Sequence, residues 1–386
     1  MRLAFITGSL VHGGAERHTI GLANRLAQRG HDCHAAYIRD DASQLERLQG
    51  APGAECLHAR RYFDAGAVRR LGEFFRRLRP SAVLAANPYA MLYSTLALRR
   101  SGLEAPLAVT FHTTLLPSLK EWLKMLYYRP FFWHADSLIF VCDAQRSHWR
   151  RRLVGGRGSR VIYNGVDAEH WRPPEPGVRE RIRRVLGLAE RDYVVAMCAV
   201  FRPEKNHLQL VEAIARLRAR GVPARALLIG DGPMRPAIEA RARDLGLGAD
   251  VLIAGLQHDV RPFLAAADTV ALPSTSVETF SLAALEAMAL ARPVVLSEIG
   301  GAVDMVRPGR EGFLFPAGDT RALVERLAAL ADEGLRQRMG AAARETVEAR
   351  FTERAMVDGY EALLQQLVLT RSERENLRRS ATAHQG

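Results

Sequence analysis

Residues 269–286 read Thr-Val-Ala-Leu-Pro-Ser-Thr-Ser-Val-Glu-Thr-Phe-Ser-Leu-Ala-Ala-Leu-Glu. Thr269–Pro273 reads as a short apolar strand, and Glu278–Ala291 reads as the helix that follows it. Two carboxylates, Glu278 and Glu286, then sit near a helix start, just beyond the carboxyl end of a strand. A helix N-terminus offers unpaired N–H groups and a partial positive charge, which suits a phosphate. Carboxylates beside it hold sugar hydroxyls by charge-assisted hydrogen bonds. The stretch reads as a site for a phosphorylated sugar, although taken alone it also fits an ordinary acidic helix start.

Working outward, the strand-then-helix pattern repeats along the chain. Strands are expected at Leu3–Thr7, His34–Ile38, Ala82–Ala86, Leu107–Phe111, Ser137–Cys142 and Arg160–Tyr163. The Pro173-Pro174-Glu-Pro176-Gly177 run interrupts this first series and places a linker at 168–192. A second series follows at Tyr193–Phe201, Ala226–Ile229, Val251–Gly255, Thr269–Pro273 and Val294–Ser297, with helices between. Such alternation implies α/β architecture: two doubly wound, Rossmann-like parallel sheets with ligands at the carboxyl ends of the strands. The expected division is residues 1–167, a linker at 168–192, residues 193–352, a C-terminal helix at 353–370 that packs back on the first domain, and a disordered tail at 371–386.

Composition sets limits. The 386 residues are 48% hydrophobic and 25% charged, as in a globular protein of two domains. Met1–Thr7 reads as a short strand and not as a signal peptide, and no apolar run is long enough to span a bilayer as a helix. Cys33, Cys56, Cys142 and Cys198 are scattered, without a CxxC pair, which points to a reducing, cytoplasmic setting. The net charge of +12 is uneven. Residues 1–167 carry 24 Lys+Arg against 13 Asp+Glu, whereas residues 168–386 carry 30 against 29. A basic half faces a polyanion or an anionic membrane, or simply reflects an Arg-rich surface.

Three further loops lie at expected carboxyl edges. Gly13-Gly14-Ala15-Glu16 opens the first helix, where bare glycines admit a ligand close to the backbone. It is not GxGxxG, so a dinucleotide fingerprint is missing. Phe201-Arg202-Pro-Glu204-Lys205-Asn206 offers two cations for a diphosphate. Phe111-His112-Thr113-Thr114 ends a strand with a histidine able to hydrogen-bond a ligand across a cleft.

Together with Ile162-Tyr-Asn-Gly-Val-Asp167, Gly230-Asp-Gly-Pro233, Pro293-Val294-Val295, Gly300-Gly301 and Gly312-Phe313-Leu314, these motifs resemble the family-4 retaining glycosyltransferases of the GT-B fold, over roughly residues 2–370. The resemblance implies roles. Glu286 binds the ribose, Glu278 holds the transferred sugar, and backbone amides from Phe280 through Ser281 to Leu282, next to Thr279, meet the diphosphate. Lys205 neutralises the leaving group, Gly13 and Gly14 approach it from the first domain, and His112 contacts the donor sugar. The chain departs from the family pattern at Val200, where an Arg is common and which Arg202 is expected to replace. It departs again at Ser281 and Ala291, where Gly is common.

The expected reaction moves a sugar from a UDP- or GDP-sugar to a glycan acceptor, lipid-linked and destined for a surface polysaccharide. No DxD pair is present, so no essential metal is expected, and no cofactor beyond the nucleotide-sugar substrate. Rival readings are a glycoside hydrolase, a nucleotide-sugar epimerase and a basic polyanion-binding protein. A hydrolase needs two carboxyls about 5–9.5 Å apart. Residues eight apart on a helix are separated by roughly 12 Å of rise and about 80° of rotation. No nucleic-acid motif accompanies the basic half. Two segments there fit an anionic membrane surface: the basic amphipathic run Val68–Arg79, and Leu115–Trp133 with aromatics beside Lys120, Lys124 and Arg129. Core-facing helices with snorkelling charges fit both segments as well. The expected location is cytoplasmic, peripheral on the inner leaflet.

Overall fold

The computed structural model describes residues 1–11, 13–112, 119–155, 158–276 and 278–383, with side chains to 373. Thr113, Thr114, residues 115–118 of the aromatic segment and 384–386 of the expected tail lie outside the described residues. The chain divides into two units, Met1–Tyr163 with Ala355–Gly386, and Asn164–Arg354.

The first unit runs β1 (Arg2–Thr7), α1 (Gly14–Gln28), β2 (Asp32–Tyr37), β3 (Glu55–Cys56), α2 (Ala65–Leu78), β4 (Ala82–Ala86), α3 (Asn87–Ser101), β5 (Leu107–Phe111), α4 (Leu119–Phe132), β6 (Ser137–Phe140), α5 (Asp143–Arg150) and β7 (Arg160–Val161). Its seven strands order as β3-β2-β1-β4-β5-β6-β7, paired in parallel throughout. Successive residues of β1 serve opposite faces, as a pleated strand requires. Ile6 joins a core with Phe75 of α2 and Met91 of α3. Phe5 joins another with Leu22 of α1 and Tyr360 of the C-terminal helix.

That second core explains why the chain returns. Met356, Val357, Tyr360, Leu363 and Leu364 form a stripe at helical spacing that covers the α1 face of the sheet. Their helix, α14, spans Glu353–Ala383. Disorder was expected from 371, but the helix continues, because residues 371–383 contain neither Gly nor Pro and many good helix formers. The run Val68–Arg79 is corrected in the other direction. Val68, Leu71, Phe74, Phe75 and Leu78 are all buried, so the apolar face of α2 is a core face and not a membrane face.

The second unit runs α6 (Val178–Val185), β8 (Tyr193–Cys198), α7 (His207–Ala219), β9 (Ala224–Ile229), α8 (Arg235–Asp244), β10 (Val251–Gly255), α9 (Arg261–Ala266), β11 (Thr269–Leu272), α10 (Leu282–Ala289), β12 (Val294–Ser297), α11 (Ala302–Met305), β13 (Gly312–Phe315), α12 (Thr320–Ala329) and α13 (Glu333–Arg350). Its six strands order as β10-β9-β8-β11-β12-β13, again parallel. The segment expected to be linker contains α6, which is fastened to this sheet. Arg183 is buried, donates to the Ala266 and Asp192 carbonyls, and meets Asp268 at 3.2 Å. Asp268 in turn accepts from the Val194 amide at the start of β8. A buried charge is tolerated only where it is paired and hydrogen-bonded, as both terminal nitrogens of Arg183 are.

Candidate active site

In the second unit the strand order reverses between the neighbours β8 and β11. Loops leaving the two strands diverge there, and the crevice between them is where doubly wound sheets bind ligands. Lys205 lies in the loop after β8, on a single 3₁₀ turn from Pro203 to Lys205. Asn206 then takes a left-handed conformation (φ 57°), which Asn tolerates better than most residues, and turns the chain into α7. Glu278 lies in the loop after β11. The Lys205 Nζ donates to Glu278 Oε2 at 2.6 Å, and Ser274 Oγ donates to the same oxygen at 3.0 Å. The two ionised side chains are only 23% and 17% exposed. Sheltered this far from water, the pair attracts more strongly than an open surface pair.

Helix α10 begins at Leu282 and not at Glu278. Ser281 is the reason: its Oγ accepts from the Ala284 amide, an N-cap that ends the loop and starts the helix. Glu278 and Glu286 therefore do not lie on one helix, and the separation drawn from helical geometry does not apply to them. Glu286 is buried on α10 at 1% exposure. Phe280 is buried against Phe351, ring centroids 5.2 Å apart, and its carbonyl accepts from the Asn164 amide group. Thr279 and Ser281 line a small hollow together with Glu278, Ser274 and Ile299. Arg202 is exposed at the N-cap of the 3₁₀ turn.

Two glycine motifs hold the loops after β11 and β8. Gly300 has φ 54°, and a Cβ there would stand 1.7 Å from the Glu278 carbonyl oxygen, so only glycine lets the two loops meet. The adjacent Gly301 amide donates to the Thr279 carbonyl at 2.6 Å. Gly230-Asp-Gly-Pro233 braces the other side. The Phe201 amide donates to the Asp231 carbonyl, and a Cβ on Gly230 would meet the Ala199 carbonyl at 2.1 Å. Ala291, the other departure from the family pattern, has its carbonyl against Gly340 of α13. It follows the end of α10 with φ 54°, a left-handed position that favours Gly.

The corresponding edge of the first unit combines a carboxylate, Glu16 beside Gly13, with two uncharged histidines. Gly13 is the extended N-cap of α1. A Cβ on Gly13 would collide with the Glu16 carboxylate at 2.3 Å, whereas a Cβ on Gly14 would meet nothing within 4 Å, so Gly14 borders open space. The amide of His112, just past β5, donates to Asn87 Oδ1 at 2.9 Å. The His112 ring packs on His18 of α1 at 4.8 Å between centroids, and His18 packs on Tyr360 of α14 at 5.4 Å. Burial pushes His18 down to about 4. Burial, with His18 as a smaller cause, holds His112 well below its ordinary value. Both rings are neutral at pH 7, so the His112 ring carries a dipole and not a positive charge.

His18, Asn87, Ser274 and Tyr360 are members of these clusters that sequence reasoning missed. His18 falls one helical turn after Gly14, and Asn87 directly after β4, both readable signals. Nothing local marks Tyr360.

Residues 12–170 match the family model Glycosyltransferase Family 4, and residues 178–346 match Glycosyl transferases group 1. The putative glycosyltransferase EpsD of Bacillus subtilis (strain 168) is 31% identical over 264 residues, covering 66% of this chain and 68% of EpsD. The chain belongs to the family-4 glycosyltransferases. The lipopolysaccharide core biosynthesis glycosyltransferase LpsE of Rhizobium meliloti (strain 1021) is 29% identical over 363 residues, 91% of this glycosyltransferase and 96% of LpsE. Among solved structures, Anabaena HepE in complex with UDP superposes with a TM-score of 0.85 at 22% identity, covering 95% of this chain and all of HepE. That likeness places this glycosyltransferase in the GT-B fold. As a family-4 enzyme it transfers hexosyl groups from nucleotide sugars with retention of configuration.

Proposed function

We propose that this glycosyltransferase moves a hexose from a UDP- or GDP-sugar to a lipid-linked glycan during the synthesis of a surface polysaccharide, at the anionic cytoplasmic face of the membrane. The observation that carries the donor part is the Lys205–Glu278–Ser274 cluster at the strand reversal, directly before the N-terminus of α10. Without donor, Lys205 and Glu278 neutralise each other. With donor, Lys205 turns to the diphosphate and Glu278 takes the sugar hydroxyls. Negative charge then grows on the departing diphosphate, where Lys205, Arg202 and the first amides of α10 stabilise it. These groups supply the positive charge, so transfer proceeds without a divalent cation. Glu286 holds the ribose, Thr279 through Leu282 line the diphosphate, and Gly13, Gly14 and His112 are further donor contacts. The partners are the donor and the glycan acceptor, not nucleic acid.

Relatives support the direction of this reading: LpsE is named for lipopolysaccharide core biosynthesis, and HepE was solved with UDP. Among the described residues no helix is long and apolar enough to cross a membrane, so the membrane contact proposed is peripheral. The test is a thermal-shift panel of UDP-, GDP- and ADP-sugars, then nucleotide release with lipid-linked acceptors in the presence of EDTA. Stabilisation by one nucleotide class and chelator-resistant release are expected. Release that stops with EDTA would remove the metal-independent step, and no stabilisation by any donor would remove the donor site.

A further inference from the structure

Among the described residues fifteen large hydrophobic side chains stand exposed, and eight of them fall in two short stretches, 62–63 and 119–133. On α4, Leu119, Trp122, Leu123, Leu126 and Tyr127 recur at the spacing of one helical face, and that face points outward. The opposite side supplies Tyr128 and Phe132 to the core. This helix therefore has two apolar faces, of which the protein covers one. Leu119 is 74% exposed, and Trp133, just past the helix, 79%.

Cations border the outward stripe. At about 100° per residue, Lys120 and Lys124 fall along one edge and Arg129 along the other. The second stretch, Arg60-Arg61-Tyr62-Phe63, is exposed throughout and joins α4 directly. The Tyr62 hydroxyl hydrogen-bonds the Tyr128 hydroxyl, and Lys124 Nζ stands 5.5 Å from the centre of the Tyr62 ring. The result is one continuous surface: a middle of Trp, Leu and Tyr with Lys and Arg at its rim, on the half of the chain that carries most of the excess positive charge. Indole and phenol rings favour the boundary between headgroups and acyl chains, while lysine and arginine pair with anionic headgroups.

We propose that the outer face of α4, with Arg60–Phe63, docks the enzyme on an anionic phospholipid bilayer, lying in the headgroup plane with Trp122, Leu126 and Trp133 directed toward the acyl chains. The assignment deepens the membrane placement proposed above and rests on it. It also excludes α2, which the sequence presents as an equal candidate and whose apolar face is spent on the core.

The test is co-sedimentation of the full chain with vesicles of phosphatidylglycerol and phosphatidylcholine at low salt, with phosphatidylcholine vesicles as the neutral comparison. The wild type is expected on the anionic vesicles only. W122S/L126S and K120E/K124E are expected to weaken binding by about tenfold or more. R69E/R76E, on the exposed side of α2, is expected to bind as the wild type does. The melting temperature monitors folding of every variant. If the wild type ignores anionic vesicles, the membrane placement falls and this surface with it. If the wild type binds and the α4 variants bind equally well, the placement stands and the surface is wrong. Self-association of the wild type that W122S/L126S abolishes would give the patch to a second copy of the chain and overturn the proposal.

Discussion

Around β8 and β11 the second unit sets an ammonium 2.6 Å from a carboxylate, and both side chains keep some contact with solvent. Around β1, β4 and β5 the first unit sets two imidazoles 4.8 Å apart, stripped of charge by burial. The two sheets share parallel pairing and a reversal of strand order, yet their carboxyl edges differ in chemistry. Doubly wound topology supplies a place for a ligand, and the residues after each strand decide what that place does. One edge pairs an ammonium with a carboxylate. At the other, the packed rings of His18 and His112 are uncharged.

The largest expected effect comes from breaking the charged edge. K205A should lower kcat/KM by about 10²–10³, in the range seen when one charge-stabilising donor is removed, with little change in melting temperature. H112A, which removes a dipole and not a charge, should cost less in the same nucleotide-release assay. Equal losses for the two would erase the contrast drawn here. G300A follows. Its new Cβ must displace the Glu278 carbonyl, so a loss of about 2–3 kcal/mol in denaturant unfolding and a weaker thermal shift with the donor nucleotide are expected together. A stable G300A that binds nucleotide normally would show that the loop is not held in this way.

Acid sharpens the comparison from the neutral side. His18 is lowered from 6.5 to about 4, so between these values the unfolded chain binds a proton that the folded protein does not. Stability from this residue is complete above about pH 6.5, falls as the pH drops, and is lost by about pH 4. The loss from His18 reaches up to ~3 kcal/mol. His207, also lowered to about 4, adds a similar slope from the second unit. H18F should remove only the His18 share and leave those of His112 and His207, read as a flatter curve of unfolding free energy between pH 6.5 and 4. An unchanged slope would mean His18 is not buried neutral. The smallest effect is expected at A291G, which relieves a left-handed alanine after α10 and should raise stability by about 1 kcal/mol while leaving nucleotide affinity alone.

Much of this was legible before any coordinates. Lys205 and Glu278 were placed at the ends of two strands by the turn residues that follow each apolar run, and those strands prove to be neighbours. Other features were hidden for definite reasons. The start of α10 was misplaced because Glu278 suits a first turn as well as a loop, and the Ser281 cap shows only in its bond to the Ala284 amide. β3 is only two residues long, and β13 opens with Gly312, so neither carries a clear strand period. α6 sits beside a proline run that suggests a linker, and only the distant Asp268 gives Arg183 a reason to be buried.

The sequence by itself determined the alternation of strand and helix, and with it the parallel sheets and the edges where chemistry would gather. Those are consequences of local periodicity, of turn residues and of the handedness of the crossover. Only the tertiary structure decided between the two candidate membrane segments, burying the apolar face of α2 and leaving one of the two apolar faces of α4 exposed. It alone brought Tyr360 of the last helix to His18 of the first. Burial is a property of what packs against a residue, and for these residues the packing partners come from far along the chain.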